Sequence, residues 1–235
     1  MDEARRAEIA GNLDGLRARI NAACAAAGRD PGEITLVAVT KTYPATDVLH
    51  LAALGVADIG ENREQEATPK AADVAAAGVE VRWHHVGQLQ RNKARAVARY
   101  AFAVHSVDRL PLVEALARAR EAVPAPPLHV FVQLSIDGDT TRGGAVAADV
   151  PAIADAVAKE PALHLAGLMA VAPLEMAPEA AFEQVAVEAA RLRAAFPQAT
   201  AVSAGMSADL EAAIARGATH VRVGSALLGP RPKLG

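Results

Sequence analysis

Residues 34–62 read ITLVAVTKTYPATDVLHLAALGVADIGEN. The run at 34–41 (ITLVAVTK) is rich in β-branched residues, which favour a pleated, half-buried surface. A helical stretch follows it, and a second β-rich run occupies 56–62 (VADIGEN). Gly55 stands immediately before that second run, where a helix C-cap belongs. The stretch is therefore a strand, a helix and a second strand.

The same alternation continues on the C-terminal side. Strands are expected at 81–87, 102–108, 128–136, 163–171, 200–205 and 220–225. Helical stretches lie between them, the clearest at 109–122, 149–159, 178–196 and 207–216, each with apolar positions at i, i+3 and i+4. Gly78 and Gly217 repeat the capping position of Gly55. On the N-terminal side an amphipathic helix ends before Pro31-Gly32. Eight strands alternating with helices imply βαβ units and a parallel sheet. An open, doubly wound sheet is the competing architecture, but it carries a Gly-rich loop after its first strand. Here the first strand ends in Lys41-Thr42-Tyr43-Pro44, without glycine. The expected fold is a closed α/β (β/α)8 TIM barrel with an extra N-terminal helix, one domain over residues 1–235.

Composition narrows the function. The 235 residues are 52% apolar and 22% charged, with a formal net charge of −3, so neither nucleic acid nor an anionic membrane is expected to attract the chain. Seven aromatic residues (Trp 1, Tyr 2, Phe 4) leave little for stacking bases. No apolar run reaches the roughly 18 residues of a membrane span, the N-terminus lacks the apolar segment of a signal peptide, and Cys24 is the only cysteine. These features lead to an expectation of a cytoplasmic protein. Of 24 basic residues, five are lysines: Lys41, Lys70, Lys93, Lys159 and Lys233. In a chain that prefers arginine, a lysine inside an apolar segment suggests amine chemistry, which guanidinium cannot perform.

Barrels place their chemistry at the C-terminal ends of the strands, and phosphate often binds after strands 7 and 8. Lys41 closes strand 1 on the same face as Thr35, Val37 and Val39, which aims its amine at the barrel mouth if that face is inward. A desolvated lysine amine forms Schiff bases with carbonyl compounds; the competing role is a strand-end lysine reaching solvent. Asn62 ends strand 2, either as a ligand-binding amide or as a helix cap. His84 and His85 end strand 3 on opposite faces, an arrangement unsuited to a shared metal. Ser203-Ala204-Gly205-Met206-Ser207 turns strand 7 into a helix with Ser207 at the cap position and Asp209 in the first turn. Arg222-Val223-Gly224-Ser225 ends strand 8. Two glycine–hydroxyl sites on neighbouring strands read as a phosphate cradle, with Arg222 as an inward positive charge. The ligand then carries an aldehyde and a phosphate a ring's width apart, which fits pyridoxal 5′-phosphate (PLP) and also a phosphorylated sugar.

Six segments together resemble one family. They are Val37-Ala-Val-Thr-Lys41-Thr-Tyr-Pro44, Gly60-Glu61-Asn62-x-x-Gln65-Glu66, Trp83-His84-x-Val86-Gly87-x-Leu89-Gln90-x-Asn92-Lys93, Gly167-Leu168-Met169, Ser203-x-Gly205-Met206-Ser207-x-Asp209 and Arg222-x-Gly224-Ser225-x-Leu227-x-Gly229. Spanning about residues 34 to 229, they look like the pyridoxal phosphate homeostasis protein family. The resemblance implies a barrel similar to the N-terminal domain of alanine racemase, with PLP held as a Schiff base on Lys41. It further implies that Ser203, Gly205, Met206, Ser207, Gly224 and Ser225 surround the phosphate. Arg222 would sit near the pyridine nitrogen, and Asn62, His84 and Met169 would line the rest of the pocket. The chain departs from the family pattern at Leu228 (usually aromatic), at Thr40 (usually serine) and at Thr141-Arg142-Gly143-Gly144, where arginine replaces a lysine.

The role implied is storage or delivery of PLP to PLP-dependent apo-enzymes, without catalytic turnover and with no metal; the alternative is a weak PLP-dependent amino-acid racemase. An arginine at the ring nitrogen weakens the electron sink that PLP catalysis uses. Of the two tyrosines, Tyr43 is too close to Lys41 to serve as a base on the opposite face, and Tyr100 is expected in a loop at the far end. With no large exposed apolar face in view, a monomer is expected.

Overall fold

A computed structural model describes residues 2–230. Met1 and residues 231–235, including Lys233 and the ends of the expected 1–235 domain, lie outside the described residues. Helix α1 (Glu3–Ala27) starts at Asp2, whose carboxylate accepts the Ala4 and Arg5 amides at 3.1 and 3.3 Å. It ends at Gly28, in the left-handed region with φ 66°. Ile9, Leu13, Leu16, Ile20 and Cys24 form a buried stripe that seats the helix on the outside of the barrel. Each such aliphatic contributes roughly 1.5–3 kcal/mol by leaving water.

Then come β1 (Thr35–Val39), α2 (Ala45–Ala53), β2 (Asp58–Glu61), α3 (Glu64–Ala76), β3 (Arg82–His85), α4 (Ala94–Tyr100) and β4 (Ala101–Val107). The second half comprises α5 (Leu110–Glu121), β5 (Leu128–Leu134), α6 (Val150–Ala158), β6 (Leu163–Ala170), α7 (Pro178–Ala195), β7 (Ala201–Ser203), α8 (Leu210–Ala215), β8 (His220–Val223) and α9 (Ser225–Leu228). Every neighbouring pair of strands is parallel. β8 returns to β1 with Val37 opposite Arg222, closing the eight-stranded barrel that the alternation predicts.

Strand alternation sorts side chains into two shells. Outward residues such as Ala38, Ile59, Val221 and Val223 pack against α1 and α2. Val104, Val130, Val132 and Leu165 pack beneath the helices on the other side. The barrel interior holds Phe131 and Met169 but also the buried polar side chains of His84, His105, Ser203 and Arg222.

Most observed elements differ from the expected bounds by one to three residues, and three differences change the placement of named residues. β1 stops at Val39, so Lys41 lies in the following turn, with Thr42 at φ 72°. α8 starts at Leu210 instead of 207, because the Asp209 carboxylate captures the Met206 amide at 2.5 Å and holds the preceding residues in a turn. Tyr100 closes α4 and leads directly into β4 instead of occupying a loop. No helix among the described residues is long and apolar enough to cross a membrane.

Candidate functional site

The turn that carries Lys41 is locked from outside the barrel. On its N-terminal side the Thr40 hydroxyl donates to Glu61 Oε1 at 2.6 Å, and the Thr40 carbonyl accepts from Lys70 Nζ at 2.8 Å. On its C-terminal side the Thr42 amide donates to the Glu66 carboxylate. Lys70, on α3, joins both carboxylates, at 2.5 Å to Glu61 and 3.1 Å to Glu66. Burial pushes the Glu61 carboxyl up, against the opposing pull of Lys70. A positive φ at a β-branched residue is strained, and this cluster supplies the bonds that hold it. None of Glu61, Glu66 and Lys70 was expected as a site residue; Glu61 and Glu66 fall in one of the segments that resemble the family, and Glu66 and Lys70 are one helical turn apart.

The loops after β7 and β8 converge on the same end of the barrel. The Ser207 and Ser225 hydroxyls lie 3.5 Å apart, and the Ala226 amide donates to Ser207 Oγ at 3.4 Å. Ser207 is thus a loop hydroxyl facing the start of α9, not the cap of α8, which is Asp209. A Cβ on Gly224 would lie 3.2 Å from the Val39 carbonyl oxygen. A Cβ on Gly87 would fall 2.3 Å from the Asn62 carbonyl oxygen, so glycine there lets the chain leaving β3 close on Asn62.

Lys41, Asn62, Met206, Ser207, Arg222, Gly224 and Ser225 line one cavity of about 370 Å3 at the C-terminal ends of the strands, together with Val39, Tyr43, Val86, Val171 and Ala208. The other four expected residues lie elsewhere. His84 and Ser203 are buried and do not line it: Val86, two positions beyond His84, lines the cavity after β3, and Ser203 accepts a hydrogen bond from the lining Arg222. Met169 is 2% exposed and packs with Ala103 and Phe131 inside the barrel. Gly205 does not line the cavity, but its carbonyl accepts the Arg222 amide at 2.9 Å, and with φ 89° a Cβ there would sit 2.6 Å from the Ala213 Cβ. His85 points outward, its Nδ1 3.3 Å from the Tyr100 hydroxyl, so the adjacent histidines do occupy opposite faces. A larger cavity, about 490 Å3, opens at the opposite end of the barrel beside Arg17, Asp58 and Arg82, and no lysine lines it.

Arg222 is the buried cation of the mouth cavity. It donates to Ser203 Oγ at 2.6 Å and to the Ala170 carbonyl at 2.8 Å, and burial pushes its guanidinium down to about 10. From Ser203 a polar chain runs down the barrel through His105 Nδ1 (2.8 Å), from His105 Nε2 to His84 Nδ1 (2.8 Å), and from His84 Nε2 to Asp58 (2.9 Å). Arginine only donates and carboxylate only accepts. Every group is satisfied when Ser203 donates to His105, His105 Nε2–H donates to His84, and His84 Nε2–H donates to Asp58. The opposite polarity would leave the Ser203 proton without an acceptor.

An amine, a buried guanidinium and paired hydroxyls around one barrel mouth define an alanine racemase-type barrel, and residues 11–232 match the alanine racemase N-terminal domain family. The pyridoxal phosphate homeostasis protein of Mycobacterium tuberculosis is 47% identical over 97% of this chain and 94% of its own. That of Pseudomonas aeruginosa is 44% identical over 95% and 96%. The solved structure of PipY from Synechococcus elongatus with PLP bound superposes with a TM-score of 0.82, at 33% identity over 94% of this chain and 100% of that one. The chain belongs to the pyridoxal phosphate homeostasis protein family.

Proposed function

We propose that this chain binds PLP in the mouth cavity through Lys41 and stores or delivers it to PLP-dependent apo-enzymes in the cytoplasm, as a single-domain monomer, without substrate turnover. The observation that carries the proposal is the sharing of one cavity by the Lys41 amine, the Arg222 guanidinium and the Ser207–Ser225 hydroxyl pair. That donor set fits an aldehyde, an aromatic ring and a phosphate. PLP, when bound, supplies an aldehyde that condenses with amines and a ring that withdraws electrons.

The protein's part is binding and orientation. Thr40 and Thr42, gripped by Glu61, Lys70 and Glu66, fix the backbone from which the Lys41 side chain enters the cavity. Ser207, Ser225 and the amides opening α9 offer donors to a phosphate, in the position where barrels of this class hold one. Arg222 would offer a ring nitrogen a proton donor, not a carboxylate, and so would favour its unprotonated form, which suits holding the coenzyme over using it. The PLP-bound PipY structure supports this reading.

The test is optical. Protein mixed with PLP should turn yellow, lose its visible band on borohydride reduction, and carry the reduced label on Lys41 by mass spectrometry. Lys41→Ala should show no band. Ser207→Ala should retain PLP less well while melting close to wild type. A colourless protein, or label on another lysine, overturns the reading.

A further inference from the structure

Arg5, Asn12 and Arg19 stand seven residues apart on α1, which places them on one face of the helix, two turns from each to the next. Each donates to a backbone carbonyl of the two loops that carry the cradle hydroxyls. Arg5 reaches the Leu228 carbonyl at 2.9 Å, Asn12 the Leu227 carbonyl at 3.1 Å, and Arg19 the Ser207 carbonyl at 2.9 Å. The last carbonyls of a helix have no partner within it, and for α9 these two side chains of α1 supply it. Arg19 also grips Glu211 of α8 through two bonds, at 2.8 and 3.0 Å. Arg5 similarly holds the buried Asp47 of α2 at 2.7 Å.

The barrel closes β8 onto β1 without any strand from α1. What the heptad stripe adds is the placement of Ser207 and of α9, whose first residue is Ser225. We propose that Arg5, Asn12 and Arg19 are positioning residues for the phosphate end of the bound coenzyme, and that the seating of α1 on the barrel sets how fast the coenzyme leaves. This rests on the PLP reading above. It makes α1 the element through which a recipient or a competing contact on the outside of the barrel can loosen the phosphate without touching the cavity.

The experiment compares PLP with pyridoxal, which has the aldehyde and ring but no phosphate. Full-length wild type, Asn12→Asp, Arg19→Ala and Arg19→Lys are each loaded with either compound, and release after dilution is followed by loss of the visible band. Asn12→Asp keeps the shape and removes the donor. It should release PLP about fivefold faster, the effect of one lost hydrogen bond, and Arg19→Ala, which also loses the two bonds to Glu211, at least as fast, with pyridoxal release unchanged in both. Arg19→Lys should recover part of the retention. Circular dichroism checks folding, and Asn12→Ala serves as the milder change if Asn12→Asp lowers the melting midpoint. Equal acceleration for both compounds, or PLP release unaltered in the variants, overturns the proposal. A wild type that never takes up PLP overturns the underlying reading instead.

Discussion

Arg222 of β8 and Ser203 of the neighbouring β7 are joined by a hydrogen bond of 2.6 Å that ties the cation of the cavity to the histidines inside the barrel. Because Ser203 receives from Arg222 and donates to His105, one hydroxyl satisfies two buried groups at once. Ser203→Ala should leave both short of a partner. The expected loss is about 2–3 kcal/mol, or roughly 4–12 °C in melting midpoint, with a shifted visible band in the PLP-loaded protein. Urea unfolding of the variant within error of wild type would contradict the chain.

The grip on the Lys41 turn gives a second prediction. Lys70 and Glu61 are 5% and 0% exposed in their side chains, so they form a buried pair. Removing one member strands the other's charge, at a cost of about 3–5 kcal/mol. Lys70→Met should therefore be strongly destabilising, and Glu61→Gln added to it should recover much of the loss. Denaturant midpoints of the single and double variants decide this. A double variant no more stable than Lys70→Met argues that packing, not charge, is what Lys70 provides.

Most of this architecture is legible in the chain because its signals are periodic. Alternation in ITLVAVTK and its seven counterparts marks strands, and the glycines before them mark helix ends. That Lys41, Ser207, Arg222 and Ser225 meet at one mouth was also readable, since residues at the C-terminal ends of barrel strands converge there. The depth of a side chain was not readable. Whether His84 or Val86 reaches the mouth depends on barrel stagger, which is set by pairing between strands distant in sequence. The Glu61–Lys70–Glu66 lock was hidden for the same reason: on α3 alone, Glu66 and Lys70 look like an ordinary exposed helical pair.

The buried histidines predict an acid-labile fold. Burial lowers the imidazoles of His85 and His220 to about 4 and holds that of His105 well below its ordinary value. In the unfolded chain they titrate near 6.5, so between these values the unfolded state binds more protons and stability rises with pH. The contribution is complete above about pH 6.5 and is lost as pH falls toward 4, on the order of 3 kcal/mol each for His85 and His220. Burial alone would raise Asp58, but hydrogen bonds from His84 and Arg82 outweigh it and hold the carboxyl at about 2. Its contribution survives until lower pH. Glu61, raised by burial, acts in the opposite direction and partly offsets the slope. Unfolding free energies from pH 7.5 to 4.5 should fall steeply below 6.5, less so in His85→Gln. A flat profile would refute the histidine account.

Turnover is the remaining question, and the two tyrosines bear on it. A racemase needs a second base across the ring from the lysine, commonly a tyrosine. Tyr100 sits on the outer face of the barrel, 3.3 Å from His85 Nδ1 and edge-on to Trp83 at 6.4 Å between centroids, with its phenol raised by burial. Tyr43 lines the cavity, but its hydroxyl donates to the Gly229 carbonyl at 2.7 Å. The one cavity tyrosine is thus engaged with the backbone and follows Lys41 by two residues, which speaks against its serving as the second base of a racemase. On the proposed binding mode the ring nitrogen would face Arg222, protonated at neutral pH, instead of the carboxylate that stabilises a pyridinium. Purified PLP-loaded protein incubated with L-alanine or L-serine should yield no D-enantiomer above a protein-free control by chiral chromatography. D-amino acid that accumulates in proportion to protein, and disappears in Lys41→Ala, would establish a racemase and require a base other than tyrosine at the cavity rim.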